Sequence, residues 1–291
     1  MGGVARWHEL KHHGVSEWGL RCAKQAGRIT SPDPGTYALP NAPSARVAAV
    51  ALLGQVTCVT ACSAWKLRQL DPPDAIHIAV PGNRHVAPGR LERLGLVGVH
   101  RGAMWLPDQR ALSVRDALDT SAMCATPLQQ LVMVDAALEA GLIQYPELLF
   151  FRCGRAKRRE WLRRSANGGA MSVSETVARA ALAAAGYKPR VQVRRPGIGI
   201  LDLAVGKRFY IEVDGFEEHS KWGQFTKDRR RDREVSAGRD WTLRYTYWDA
   251  VEDPWWFVRD VSRIIREPIG KRFEARMAWL MATPDTALTR I

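Results

Sequence analysis

Ile211-Glu212-Val213-Asp214-Gly215 sets two carboxylates into an apolar, β-prone run that ends on glycine. In a strand, residues two apart share a face, so Glu212 and Asp214 are expected to point the same way. Like charges that close repel unless something between them, most often a divalent cation, absorbs the negative charge. The stretch therefore reads as a strand that carries a candidate metal site.

The segment around it has a different character from what precedes it. Ser174 to Ala185 reads as a helix, with Glu175 in its first turn and Gly186 as its stop. Arg190 to Arg194, Ile198 to Val205 and Arg208 to Asp214 read as strands, the last two joined through Gly206-Lys207. Thr226 to Gly238 reads as a strongly basic helix, Trp241 to Thr246 as a strand and Asp253 to Arg266 as a closing helix. A tight turn between the second and third strands would set Asp202 opposite the region of Glu212, and the preceding helix would add Glu175. Four carboxylates, Glu175, Asp202, Glu212 and Asp214, would then line one edge of the sheet. Oxygen ligands of this kind suit Mg²⁺ or Mn²⁺. His219, five positions past Asp214, is placed to act as a general base or a further ligand.

The whole chain favours an anionic partner. Its 291 residues carry 43 Lys and Arg against 30 Asp and Glu, a formal charge of +13. Double-stranded DNA is the expected partner and phosphodiester hydrolysis the expected chemistry. The five cysteines are odd in number and sit among apolar neighbours, which reads as reduced thiols in a cytoplasmic protein. Cys58 and Cys62 are four apart, but no second Cys or His pair at zinc spacing lies near them, so no structural zinc is expected. Val47 to Trp65 lacks charge, yet Gly54, Gln55, Thr57, Thr60 and Ser63 dilute it, and it reads as two buried helical pieces broken near Gly54, not a membrane span. The N-terminus has neither a signal peptide nor a myristoylation pattern.

Before the sheet, Val4 to His13 and Ser16 to Ala26 read as two short helices. A hairpin from Gly27 to Leu39 follows, turning at Pro32 to Gly35. That is the outline of a winged helix-turn-helix, in which Arg21, Lys24 and Gln25 would face a groove and Arg28 would flank it. Ser44 to Leu70 reads as a helical pair. Ala75 to Val80 and Val97 to His100 read as strands, with Arg84, His85, Arg90 and Arg93 in the connection, and Ser113 to Cys124 and Thr126 to Ala140 read as helices. Asp135 is expected to be a paired helix residue and not a catalytic one. From Arg152 to Arg164 a basic helix that includes Arg155, Arg158 and Arg159 could follow a phosphate backbone or be a solvated face, as could Arg229, Arg230 and Arg231 further on. Ser165 to Ala170 reads as a linker.

The sequence pattern resembles a known family. Ser172 to Glu175 opening a helix, Asp202 in a strand, Ile211 to Gly215 in the next, His219, Phe225 with Asp228, Arg231 and Asp232, and Arg244-Tyr245 resemble the PD-(D/E)XK nuclease superfamily. Within it they are most similar to the branch of very-short-patch-repair endonucleases. The resemblance covers about residues 171–266 and implies a metal-dependent DNA endonuclease fold. Asp202 and Glu212 would be the main metal ligands, Glu175 a supporting acid and His219 the base. The lysine that names the superfamily is absent and Asp214 stands in its place, with Lys207 and Lys221 as other sources of a cation. More loosely, Gly35-Thr36-Tyr37-Ala38-Leu39 and Ser63-Ala64-Trp65 are similar to the winged-helix region of abortive-infection type antitoxins.

The expected organisation is an α/β (α+β) chain: a winged helix-turn-helix at 1–40, a mixed α/β region at 41–165, a restriction-endonuclease-like sheet flanked by helices at 171–266, and a helical tail at 267–291. Cutting both strands of a duplex would call for two sites, hence a homodimer. A different class of function fits the same residues: a transcriptional regulator, repressor or antitoxin in which the nuclease fold serves only as a scaffold.

Overall fold

A computed structural model describes residues 2–95, 97–102, 112–196, 199–214 and 240–283. The protein is of the α/β (α+β) class, with three small sheets set among helices. No helix among the described residues is long and apolar enough to cross a membrane.

The chain opens with β1 (Val4–Arg6), α1 (Trp7–His12), α2 (Glu17–Gln25), β2 (Thr30–Asp33) and β3 (Thr36–Ala38), the strands pairing antiparallel in the order β1-β3-β2. Two expectations are corrected here. Val4 to Arg6 is a strand, because Val4 and Ala5 are buried in pairing with Ala38 and Tyr37, and the helix starts only at Trp7. The hairpin strand also runs on to Asp33. Pro32 fits there because β2 is an edge strand with no ladder partner on its outer side. Ser16 caps α2 by accepting from Gly19 N–H, as its position before the helix implies.

The middle region is α3 (Ser44–Leu52), β4 (Gln55–Val56), α4 (Cys58–Ala64), β5 (Ile76–Val80), α5 (Pro88–Arg93), β6 (Val97–Arg101), α6 (Val114–Ser121) and α7 (Pro127–Glu139). The expected break near Gly54 is real: α3 is closed by its C-cap Leu53 in a left-handed conformation, and the chain then passes so close to β5 that a Cβ at Gly54 would stand 2.4 Å from the Ala79 carbonyl oxygen. The break releases a two-residue strand that pairs antiparallel with β5, and β5 pairs parallel with β6. Two basic residues of the connection, together with Arg6 of β1, bond to the last turn of α3. Arg84 donates to Leu52 O (2.8 Å), Arg90 to Ala51 O (2.7 Å) and Arg6 to Ala51 O (3.1 Å), where carbonyls and the helix dipole favour cations. Arg90 and Arg93 also pair with the buried Asp33, at 2.6 and 3.3 Å, which pins the hairpin to α5.

Helix α8 (Ala156–Ser165) leads through a packed passage to α9 (Val173–Ala184), then β7 (Arg190–Arg195), β8 (Gly199–Val205), β9 (Phe209–Asp214), β10 (Trp241–Thr246), α10 (Pro254–Ile265) and α11 (Phe273–Met281). The sheet order is β10-β9-β8-β7, antiparallel from β7 to β9 and parallel between β9 and β10. One apolar cluster runs from Ala48 to Leu280 and includes Leu131 and Val134 of α7, Leu182 of α9, Ile211 of β9 and Phe257 of α10. Along the stretch expected as a linker, Ala170 is fully buried and its carbonyl accepts from Arg68, while Arg179 donates to Ser165 O. Asp135 is paired, as expected. Its carboxylate accepts from Arg179 (2.6 Å), Thr176 (3.0 Å) and Asn167 N–H (2.7 Å), tying α7 to α9.

Candidate functional site

Of the four predicted carboxylates, the sheet brings two, Asp202 and Glu212, level with each other. Leu203 pairs with Ile211 and, on the other side, with Val191, so the next step along β8 brings Asp202 to the level of Glu212 on β9 and of Gln192 on β7. Glu212 in turn pairs with Arg244 on β10. A polar row, Gln192, Asp202, Glu212, Arg244, therefore crosses the sheet from edge to edge.

The row is locally irregular. Gln192 has φ +47°, a left-handed conformation unusual for any residue but glycine. Val191 packs on the large core but Val193 on a smaller cluster with Leu201, Ala204 and Tyr210, although the two would share a face in a regular strand. Leu201 and Leu203 part in the same way, so both strands change the face they bury at this level. At that switch the Asp202 carboxylate turns toward β9 and accepts from Val213 N–H at 3.0 Å.

Glu212 is buried, with 7 % of its surface exposed, and its carboxylate accepts from Arg244 Nε at 3.2 Å. Glu175 sits in the first turn of α9, where Ser172 caps the helix and accepts from Glu175 N–H. The Glu175 carboxylate accepts from Met171 N–H and from Gln192 Nε2, both at 3.0 Å, so Gln192 links it to the row. Among the described residues, Glu175, Asp202 and Glu212 do not form a cluster of mutually adjacent ligand atoms. Asp202 and Glu212 stand level on adjoining strands, and Glu175 bonds to Gln192, which stands level with Asp202 on β7. Their oxygen donors suit a hard cation, and one or two carboxylates suffice where water and phosphate complete the shell. Asp214 ends β9 beside Thr246, but its side chain lies outside the described part of the chain, as do His219, Lys221, Arg229, Arg230, Arg231 and the helix expected over 226–238.

The expected DNA contacts divide. Arg21, Lys24, Gln25 and Arg28 lie on α2 and just beyond it, beside Trp18, which is 71 % exposed, and all four are exposed. Arg155 is exposed. Arg159 is half-buried and donates to the carbonyls of Arg152 and Gly154. Arg158 is a correction, because it faces the interior. Its guanidinium donates to Gln130 Oε1 (2.8 Å) and to the carbonyls of Ala122 (3.1 Å), Ala125 (2.9 Å) and Thr126 (3.1 Å). A charge run on a helix says nothing about which member turns inward, and here the interior offered Arg158 a set of carbonyls.

A second group was not foreseen. Cys58, His77, His100 and Cys124 bring four ligand atoms within 4.8 Å of one another, the one such cluster of three or more metal-type ligands among the described residues. His77 Nδ1 lies 3.1 Å from His100 Nε2, and Cys124 Sγ 3.4 Å from the same nitrogen. A hydrogen bond from Cys58, with His100 and His77 adding, draws the Cys124 thiol well down against the opposing effect of burial. Burial and that same bond push Cys58 well up. The four come from four separate segments, so no spacing in the sequence announces them.

A comparison of the chain with protein-family models and with curated proteins finds no match.

Proposed function

We propose that this is a DNA-binding protein whose C-terminal region hydrolyses phosphodiester bonds with Mg²⁺ or Mn²⁺, in defence or repair. The observation that carries the reading is the Asp202–Glu212 pair, on adjoining antiparallel strands, with the Asp202 carboxylate bonded to the backbone beside Glu212. On this reading the run α9-β7-β8-β9-β10-α10 is a restriction-endonuclease-like core, and β1 to β3 with α1 and α2 form a winged helix-turn-helix.

Asp202 and Glu212 would hold the ion, with Glu175 supporting them through Gln192. The ion supplies charge neutralisation at the scissile phosphate and a water of lowered pKa. The chain's own groups do the rest. Arg244 brings a guanidinium to the carboxylate pair from the next strand, taking the electrostatic role that a lysine at position 214 would have had. Arg21, Lys24 and Arg28 supply phosphate contacts that set the register of a duplex.

One observation favours a second reading, a regulator, repressor or antitoxin with an inactive nuclease fold. Glu212 is already paired with Arg244, Glu175 is taken up by Met171 N–H and Gln192, and Asp202 accepts from Val213 N–H, so all three of these acids have structural partners. Nicking of supercoiled plasmid with Mg²⁺ or Mn²⁺ separates the two. The nuclease reading expects nicking by the wild type that is lost in both Asp202→Ala and Glu212→Ala. Activity that is absent, or that survives both substitutions, refutes it.

A further inference from the structure

We propose that Cys58, His77, His100 and Cys124 form a closed tetrahedral site for one structural zinc ion. The site is built by the middle region and is separate from the carboxylate row.

The sheet prepares the two imidazoles. In the parallel register of β5 and β6, His77 stands opposite Gly98 and His100 opposite Ala79. Directly opposed residues share a face, and so do residues two apart, so both histidines lie on one face as diagonal neighbours. Their opposite numbers, Gly98 and Ala79, are the two smallest residue types available. The hollow this leaves admits both rings, whose centroids are 5.3 Å apart.

The cysteines arrive from the helices that cover this face. Cys58 is the first residue of α4 and holds φ +56°, a left-handed conformation that costs an L-residue about 1–2 kcal/mol. The surroundings fix it there. Its N–H donates to Thr120 Oγ1 (3.3 Å), and Thr57 N–H donates to His77 O (3.0 Å), binding the start of α4 to both α6 and β5. Cys124 lies in the turn after α6. Arg158 bonds to the carbonyls of Ala122, Ala125 and Thr126 on either side of it, which gives that buried arginine its purpose: it holds the turn so that Cys124 Sγ meets His100.

The dimensions and the chemistry agree with zinc. Donors about 2.0–2.3 Å from a tetrahedral zinc ion lie roughly 3.3–3.8 Å from one another. His77 Nδ1–His100 Nε2 at 3.1 Å and Cys124 Sγ–His100 Nε2 at 3.4 Å lie within a few tenths of an ångström of these values, and all four ligand atoms lie within 4.8 Å of one another, so closing on an ion draws no pair together by more than about 1.5 Å. Two thiolates cancel the charge of a divalent ion, so the filled site is neutral, as an interior site must be when Cys58, His77 and His100 are buried. Four protein ligands leave no open coordination position, which makes the site structural and not catalytic. Its effect is to clamp β5, β6, α4 and the turn after α6 together.

The test is the metal content of full-length protein from zinc-supplemented cultures, after gel filtration in metal-free buffer. About one zinc per chain is expected. Cys58→Ser and Cys124→Ser should each reduce it to background, while Cys22→Ser keeps it. Co²⁺ added to chelator-stripped wild type should give a thiolate-to-cobalt charge-transfer band and the intense visible bands of a tetrahedral S₂N₂ site. The wild-type measurements need no variant, so a misfolded substitution leaves the test intact. Wild type that carries no zinc and develops no cobalt bands overturns the proposal, as does zinc that persists in both cysteine variants or a Cys58–Cys124 disulfide in the purified protein.

Discussion

Replacing Asp135 by asparagine tests how the middle region is fastened to the helix that carries Glu175. The Asp135 carboxylate is fully buried and accepts three hydrogen bonds, including one of 2.6 Å from Arg179, which is itself 7 % exposed. The substitution would keep the shape but remove the charge, leaving a guanidinium in the interior with no counter-charge. Removing one member of a buried pair costs about 3–5 kcal/mol, a large share of the roughly 5–15 kcal/mol by which folded proteins are stable. At about 2–4 °C per kcal/mol for chains of this size, the melting temperature should fall by about 6–20 °C. The double variant Asp135→Asn/Arg179→Met removes the stranded charge as well and should recover at least half of the loss, because most of the cost is that charge and not the bond. Differential scanning fluorimetry on the wild type and both variants reads this directly. A single variant within about 2 °C of wild type, or a double variant no more stable than the single, would refute the reasoning.

Other outcomes follow from the same contacts. Arg158→Met should destabilise by roughly 2–4 kcal/mol through the loss of its buried bonds to Gln130 and three carbonyls, whereas exposed Arg155→Ala should stay within about 0.5 kcal/mol; equal effects would show that the inward orientation is wrong. Burial pushes the Cys62 thiol from 9.0 up to about 12, so the fold favours the protonated form. That contribution is fully present below about pH 9 and is lost as pH rises toward 12, by at most about 1.4 kcal/mol per unit, and Cys62→Ala should flatten the slope; parallel urea midpoints for both proteins across that range would contradict it. The double variant Arg21→Ala/Lys24→Ala should lower the slope of log affinity for duplex DNA against log salt by about 2, and an unchanged slope would remove α2 from the DNA-contacting surface.

Much of the strand and helix pattern was legible because the signals were local. Alternation marked β5 and β8 to β10, and Pro127 with Thr126 marked the start of α7, where Thr126 and Gln129 form a capping box. The level placement of Asp202 and Glu212 was legible because a short connection between β8 and β9 fixes their antiparallel register, whereas Glu175 stays on α9 and bonds to Gln192. What escaped was set by tertiary contact. Val4 to Arg6 has apolar residues that suit a helix or a strand, and pairing with β3 decides between them. The inward turn of Arg158 depends on carbonyls more than thirty residues away. Cys58, His77, His100 and Cys124 converge only because two strands pair in parallel and two helix ends fold over them, which no local spacing encodes.

The central claim, a metal pair at Asp202 and Glu212, is tested most directly by soaking crystals in Mn²⁺ and recording anomalous scattering at the manganese edge. A peak bounded by the Asp202 and Glu212 carboxylates, absent in crystals of Asp202→Ala, is the predicted result. Well-ordered carboxylates with no peak between them, and Glu212 still paired with Arg244 at saturating Mn²⁺, would contradict it and leave the row as a structural feature of the sheet.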